Sequence, residues 1–238
     1  MAIFAMSDVH LSLSIPDKSM SVFGPSWENY IERIREGWTS VVGEDDTVLV
    51  SGDISWATKI IEADRDFEFL SSLPGRKLLS RGNHDYWWTT ISKMDSYFAE
   101  RNYGNIEIVR TNVVEAEGCL ISGTRGWMMP NDNDFKEQDR KIYDRELERL
   151  RLCFTEMDKA DRGRTMKRII MLHYPPITRF EHPTEFTEII KAGGADICVY
   201  GHLHGRAHDK VYREEVFEKC KYLCTASDYL RFKPVRIV

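Results

Sequence analysis

Short runs of apolar, largely β-branched residues recur along the chain, and most of them stop at a polar or ionisable cluster. The runs are Ala2 to Met6, Thr47 to Val50, Lys77 to Ser80, Cys119 to Ser122, Arg168 to Leu172, Ile197 to Tyr200 and Tyr222 to Ala226. Runs of this length bounded by turn formers read as buried strands. Behind them stand Asp8 with His10, Asp53, Asn83 with His84 and Asp85, His173, and His202 with His204. In open α/β sheets the loops leaving the carboxyl ends of strands converge on one crevice, so residues distant in sequence meet there. A chain patterned this way is constrained to a layered sheet with one shared polar face.

Between the strands lie helical patterns. Trp27, Tyr30, Ile31, Ile34, Trp38 and Val41 draw one apolar stripe. A second helix is expected from Asp134 to about Lys159, with Ile142, Leu147, Leu150, Phe154 and Met157 facing inward and its dense charges solvated. Helices and strands alternate early and strands crowd together late, which suggests an α/β or mixed sheet layered with helices. No repeat, low-complexity tract or linker interrupts the 238 residues, so one domain over 1–238 is expected. The segment from Leu11 to Ser26, rich in Ser and Pro and without periodicity, reads as a long loop and a candidate lid.

Composition narrows the class. Thirty-three basic against thirty-eight acidic residues give a formal charge of -5. That balance argues against a generally basic nucleic-acid surface while leaving a local patch, and nucleic acid as a substrate, open. Five cysteines form no even framework, and Cys119, Cys153 and Cys198 sit among apolar neighbours, as reduced, buried thiols do. Cys220 and Cys224 on one strand would be roughly 13 Å apart, too far for a disulfide. No apolar run reaches the ~18 residues of a membrane span, and the first residues lack a signal-peptide pattern. A cytoplasmic location is expected, with no protein partner indicated.

The strand-end residues are metal ligands by type. Carboxylate, imidazole and amide oxygen together suit divalent ions such as zinc, manganese or iron. Seven candidates, Asp8, His10, Asp53, Asn83, His173, His202 and His204, exceed one tetrahedral ion, whereas two ions sharing a carboxylate accommodate them. Gly52, Gly82 and Gly201 each precede a candidate ligand, where a tight turn or close backbone approach is needed. Asp8-Val9-His10 and His202-Leu203-His204 place alternate side chains on the same side of an extended segment. Singly, each residue has a bland reading as cap, turn former or core histidine. Together the strand-end clusters, His84 included, hold five of the chain's seven histidines, which separate accidents would not concentrate here.

The ordered set Asp-x-His, Gly-Asp, Gly-Asn-His-Asp, a later His and Gly-His-x-His, running from Ser7 to His204, resembles the calcineurin-like metallophosphoesterase superfamily. The resemblance implies an α/β fold, a sandwich of two mixed β-sheets flanked by α-helices. It implies one ion held by Asp8, His10 and His204, another by Asn83, His173 and His202, and Asp53 bridging them. The activity implied is hydrolysis of phosphate mono- or diesters by a bridging hydroxide at this dinuclear centre. His84 and Asp85 match the family's catalytic pair: His84 is expected to donate a proton or hydrogen bond to the leaving oxygen, with Asp85 orienting its ring. The fourth block, Leu172-His173-Tyr174-Pro175-Pro176, departs from the Gly-His of some members, so substrate preference does not transfer.

A small soluble phosphate ester is the expected substrate. One rival is a non-catalytic metal-binding scaffold of the same fold engaging a protein partner. Another is a metallo-β-lactamase-type hydrolase, suggested by His202-x-His204 with His208 and Asp209, which leaves the first three blocks unexplained. Arg125 is a candidate phosphate clamp, with a salt bridge as the competing reading. Tyr86, Trp87 and Trp88 read as packing for the next helix before an aromatic wall, and His182 and His208 as ordinary loop histidines.

Overall fold

The computed structural model describes residues 1–238. Its elements are β1 (Ile3–Ala5), α1 (Tyr30–Thr39), β2 (Thr47–Ser51), α2 (Asp64–Ser72), β3 (Arg76–Ser80), α3 (Ile91–Glu100), β4 (Ile106–Ile108), β5 (Val114–Ala116), β6 (Cys119–Gly123), α4 (Glu137–Ala160), β7 (Lys167–Met171), α5 (Glu185–Gly193), β8 (Ile197–Tyr200), β9 (Glu214–Phe217), β10 (Cys220–Cys224) and β11 (Val235–Arg236). They form two mixed sheets, one ordered β11-β1-β2-β3-β4 and the other β5-β6-β7-β8-β10-β9. In the first, β1 to β4 run parallel and β11 joins antiparallel; in the second, β5 and β9 are the antiparallel edges.

Side chains alternate across a strand, so a strand with both faces covered must be apolar throughout. Ile3, Ala5, Leu49 and Leu78 of the first sheet meet Ile121, Ile169, Met171, Val199 and Leu223 of the second in the layer between them. The intervening residues face outward: Phe4, Val48, Val50 and Leu79 lie with α1, α2 and α3, while Ile170, Cys198, Tyr200 and Tyr222 lie with α4 and α5. Three apolar layers thus hold a helix–sheet–sheet–helix stack, the sandwich implied by the sequence.

The seven expected strands are all present, the last shifted to Cys220–Cys224. The stripe from Trp27 to Val41 yields α1 behind a one-turn 3-10 segment, Pro25–Trp27, with Trp27, Tyr30, Ile34 and Trp38 buried. In α4 Tyr143 takes the buried place expected of Ile142, which is half-buried. All five cysteines are buried and free. Leu11 to Ser26 is not a featureless loop: it holds short 3-10 turns, its Met20 is in the core, and its Ser12 hydroxyl hydrogen-bonds Tyr30 at 2.9 Å. Its tip exposes Val22 and Phe23.

The two sheets are stitched together at one end. Ser7 and Ala226 form a parallel bridge beyond β1 and β10, the Ser7 and Thr225 hydroxyls are 3.0 Å apart, and the Ser227 hydroxyl donates to Asp8 O at 2.7 Å. Asp8, the first of the candidate ligands, lies in this seam.

Candidate metal centre

Asp8 and His10 follow β1, Asp53 follows β2 and Asn83 follows β3, all in the first sheet; His173 follows β7, and His202 and His204 follow β8, in the second. The structure brings all seven together. His10 Nε2 and His204 Nε2 are 3.1 Å apart, and His204 Nε2 lies 3.5 Å from Asp8 Oδ1. Asn83 Oδ1 is 2.6 Å from His173 Nε2 and 2.9 Å from His202 Nδ1. Between these groups, Asp53 Oδ2 is 3.6 Å from His10 Nε2 and 3.5 Å from His173 Nε2.

The backbone is bent to achieve this. Asp8, His10, Asp53 and His202 have φ of 57°, 44°, 53° and 73°, a left-handed region that costs an L-residue about 1 kcal/mol or more. Neighbouring strands hold the bends: Asp8 N–H donates to Gly52 O, His10 N–H to Asp53 O and His202 N–H to Asp8 Oδ1, at 2.9–3.0 Å. Two glycines are obligatory for close approach. A Cβ on Gly82 would lie 2.1 Å from Asp53 Oδ1, and one on Gly201 1.9 Å from Asp8 Oδ2.

Hydrogen bonds at their Nδ1 atoms turn the Nε2 atoms of His173 and His204 toward the site. His173 Nδ1 reaches Ser51 O at 3.0 Å, and as donor there it leaves Nε2 bare toward Asn83 and Asp53. His204 Nδ1 meets Asp228 Oδ1 at 2.9 Å, while Gly205 N–H donates to Asp228 Oδ2. Outer-shell acceptors of this kind fix the orientation of metal-ligating imidazoles. Asp228 was missed in the sequence, although it follows the run ending at Ala226 as the other clusters follow theirs.

Electrostatics follow from crowding. Burial pushes Asp53 up to about 7, with Asp85 and Asp8 adding to it and His173 opposing. Burial would raise Asp8 too, but its bond to His204 and the charges of His173, His204 and His10 hold it below the usual range. Burial, with His173 beside it, pushes His202 down to about 3, and burial with His204 lowers His10. Burial also opposes a charged His204, yet Asp228 and Asp8 outweigh it and raise that ring to about 10.

This donor set fits divalent cations. The buried Asp8 Oδ2 has no hydrogen-bond partner, and bare imidazole nitrogens face carboxylate and amide oxygens within 4 Å. Lone pairs gathered without enough protons call for positive charge. Asp8, Asp53 and His173, and Asp8, His10 and His204, are each close enough to hold one ion.

Around the ligands some expected roles change. Asp85 does not orient the His84 ring: its carboxylate is fully buried and accepts from the N–H groups of Asp53, Ile54 and Gly82 and from Trp87 Nε1 at 2.7–2.9 Å. It organises two ligand loops, and His84 Nδ1 is left without a partner. The three aromatics after it diverge. Tyr86 is 59% exposed beside His84, Trp87 packs on Phe67, and Trp88 is half-buried. The aromatic wall comes instead from Trp56, stacked on His10 at 5.0 Å, and Trp27, edge-on to His10 and His204. His208 hydrogen-bonds Leu203 O at 2.7 Å and stacks on Tyr229, and His182 lies against Phe217. Arg125 forms no salt bridge; its guanidinium lies over the Trp127 ring at 4.2 Å.

The model of the calcineurin-like phosphoesterase family matches residues 1–206, and the chain belongs to that family. Membership supports a metal-dependent phosphoesterase, a hydrolase. Among solved structures, a phosphopantetheinyl hydrolase from Mycobacterium tuberculosis superposes with a TM-score of 0.57 and 14% identity, covering 100% of this chain and 95% of its own. A protein of unknown function from Aquifex aeolicus gives 0.51 and 17%, covering 99% and 95%. At such identities the likeness is one of fold. The Gene 66 protein of Mycobacterium phage L5 is 41% identical over 58 residues, 24% of this chain and 28% of the phage protein, so the match spans little more than a quarter of that relative. No helix is long and apolar enough to cross a membrane.

Proposed function

We propose that the chain hydrolyses phosphate mono- or diesters of small soluble molecules at a centre of two divalent ions, manganese, zinc or iron. The observation that carries this reading is Asp53 Oδ2, midway between His10 and His173 of two different ligand groups, where a bridging carboxylate belongs. Asp8, His10 and His204 would hold one ion, and Asn83, His173 and His202 the other. Two ions so held would supply an activated water and neutralise charge on the phosphate.

The chain's own residues do the rest. Asp85 locks the loops of Asp53 and Asn83 in register, and Asp228 holds His204 with Nε2 turned inward. His84 stands beside the ligands, 5.8 Å from His10 between ring centres, half-buried and bonded to the site only through its backbone N–H to Asp53 Oδ1. Its ring is free to give a hydrogen bond to the leaving oxygen. Burial and His173 lower its pKa, which favours the neutral ring as a hydrogen-bond donor. Trp56 and Trp27 shield one side from water.

The test is reconstitution of metal-depleted protein with manganese, zinc or iron, assayed on p-nitrophenyl phosphate and bis-p-nitrophenyl phosphate. Turnover should require metal and show two ions per chain. Asp53→Asn should lose metal and turnover together, whereas His84→Ala should keep the metals and lose roughly 100-fold or more in kcat. Two bound ions with no hydrolysis of either ester would overturn the proposal.

A further inference from the structure

Next to the metal centre lies a cleft lined by arginines from four separate segments. Arg81 follows β3, Arg110 follows β4, Arg125 follows β6, and Arg149 comes from α4. All four are half-buried. One carboxylate answers them: Glu146, fully buried, takes Arg149 at 2.5 Å, Arg145 at 3.6 Å and the Thr124 hydroxyl. Arg81, Arg110 and Arg125 have no ion pair, and Arg81 Nε and the indole Nε1 of Trp88, both buried, have no hydrogen-bond partner. Burial and the mutual repulsion of these guanidiniums lower the pKa of Arg110; Arg125 is lowered by burial, with Arg81 and Arg145 adding to it.

Buried donors and neighbouring like charges are unfavourable unless an anion completes them, and the fork of a guanidinium matches phosphate oxygens. The cleft has about 20 Å³ of free space. A space this small suits a compact anionic group. The cleft is bound directly to the metal-ligand loops. Arg81 is two residues before Asn83, and Arg125 O accepts the backbone N–H groups of His173 and Tyr174 at 2.9 and 3.0 Å.

We infer that Arg81, Arg110, Arg125 and Arg149, with Trp88 Nε1, form a second anion site that receives a further phosphoryl group of the substrate. The substrate class becomes a molecule with two phosphate groups, one cleaved at the metals and the other anchored in the arginine cleft. This rests on the proposed hydrolysis, but its binding arm does not.

The full chain, stripped of metal with a chelator and checked for native circular dichroism, is titrated with inorganic phosphate by calorimetry. One phosphate should bind, and Arg110→Gln with Arg125→Gln should weaken it at least about tenfold, while Arg140→Gln on the exposed face of α4 should not. In the metal-loaded protein, kcat/KM should favour adenosine 3′,5′-bisphosphate over adenosine 5′-monophosphate by about tenfold or more, and the double variant should erase that preference. Absent phosphate binding, or binding indifferent to the double variant, overturns the anion site. Phosphate binding without bisphosphate preference overturns its role toward substrate and assigns the cleft to free phosphate. Failure to hydrolyse either p-nitrophenyl phosphate or bis-p-nitrophenyl phosphate with two ions bound, phosphate binding being intact, overturns the hydrolase reading alone.

Discussion

At the scale of single residues, the site depends on groups that touch no substrate. Asp228 binds both His204 Nδ1 and the backbone of Gly205, so Asp228→Asn should weaken metal binding by about 10–100-fold with the fold intact, read by metal titration and circular dichroism. Protons compete for the same lone pairs. Asp53, near 7, and His204, near 10, both carry protons that a cation must displace, so metal binding should release protons and strengthen as pH rises through 7. Below pH 7 Asp53 is protonated and affinity falls. Calorimetry in buffers of different ionisation enthalpy measures the released protons, and a pH-independent affinity between pH 6 and 8 would be the contrary result. All seven candidate ligands were legible as one cluster because imidazoles and carboxylates after apolar runs have few other reasons to gather. Asp228 follows an apolar run as they do but was passed over, its partner His204 lying 24 residues away, and of the arginine cleft only Arg125 was legible, because its four arginines come from separate segments.

At the scale of elements, the divide between what was legible and what was not follows the sheets. The seven strands expected from the sequence are the seven interior strands, and the four that escaped notice, β4, β5, β9 and β11, are the four edges. An interior strand is covered on both faces and so reads as a continuous apolar run. An edge strand here is two to four residues long and carries Glu107, Glu115, Glu214, Glu215 or Arg236. Charge on an edge also discourages pairing with another chain. The short helices α2 and α5 lacked enough turns to show a stripe against that background. Helix packing is separable from the site. A Cβ on Gly193 would meet the Phe154 ring at 2.3 Å, so Gly193→Ala should push α5 from α4, destabilising the protein by about 1–3 kcal/mol in urea without changing metal affinity.

At the scale of the whole molecule, each proposed ion draws ligands from both sheets: Asp8 and His10 with His204 on one side, Asn83 with His173 and His202 on the other. Metal bound this way would cross-link the two halves of the sandwich. Since the ions bind the folded state, metal at 100 times its Kd should add about 2.7 kcal/mol and raise the thermal midpoint by several degrees in calorimetry. An unchanged midpoint with metal bound would mean that the unfolded chain binds it equally well. The resemblance in ordered motifs foretold the sandwich because those motifs are strand ends, and strand ends in order nearly define a parallel topology.

The seam beneath the site joins Ser7 to Thr225 and Ala226, residues 218 or more apart in sequence. A fragment ending just after His204 would hold every candidate ligand, yet it would lack the strand that pins Ser7 and the carboxylate that steadies His204. Such a fragment would carry the parts of a hydrolase without its reactivity. Hydrolysis by this chain should thus appear only with the last strands in place, in step with the closing of the sandwich.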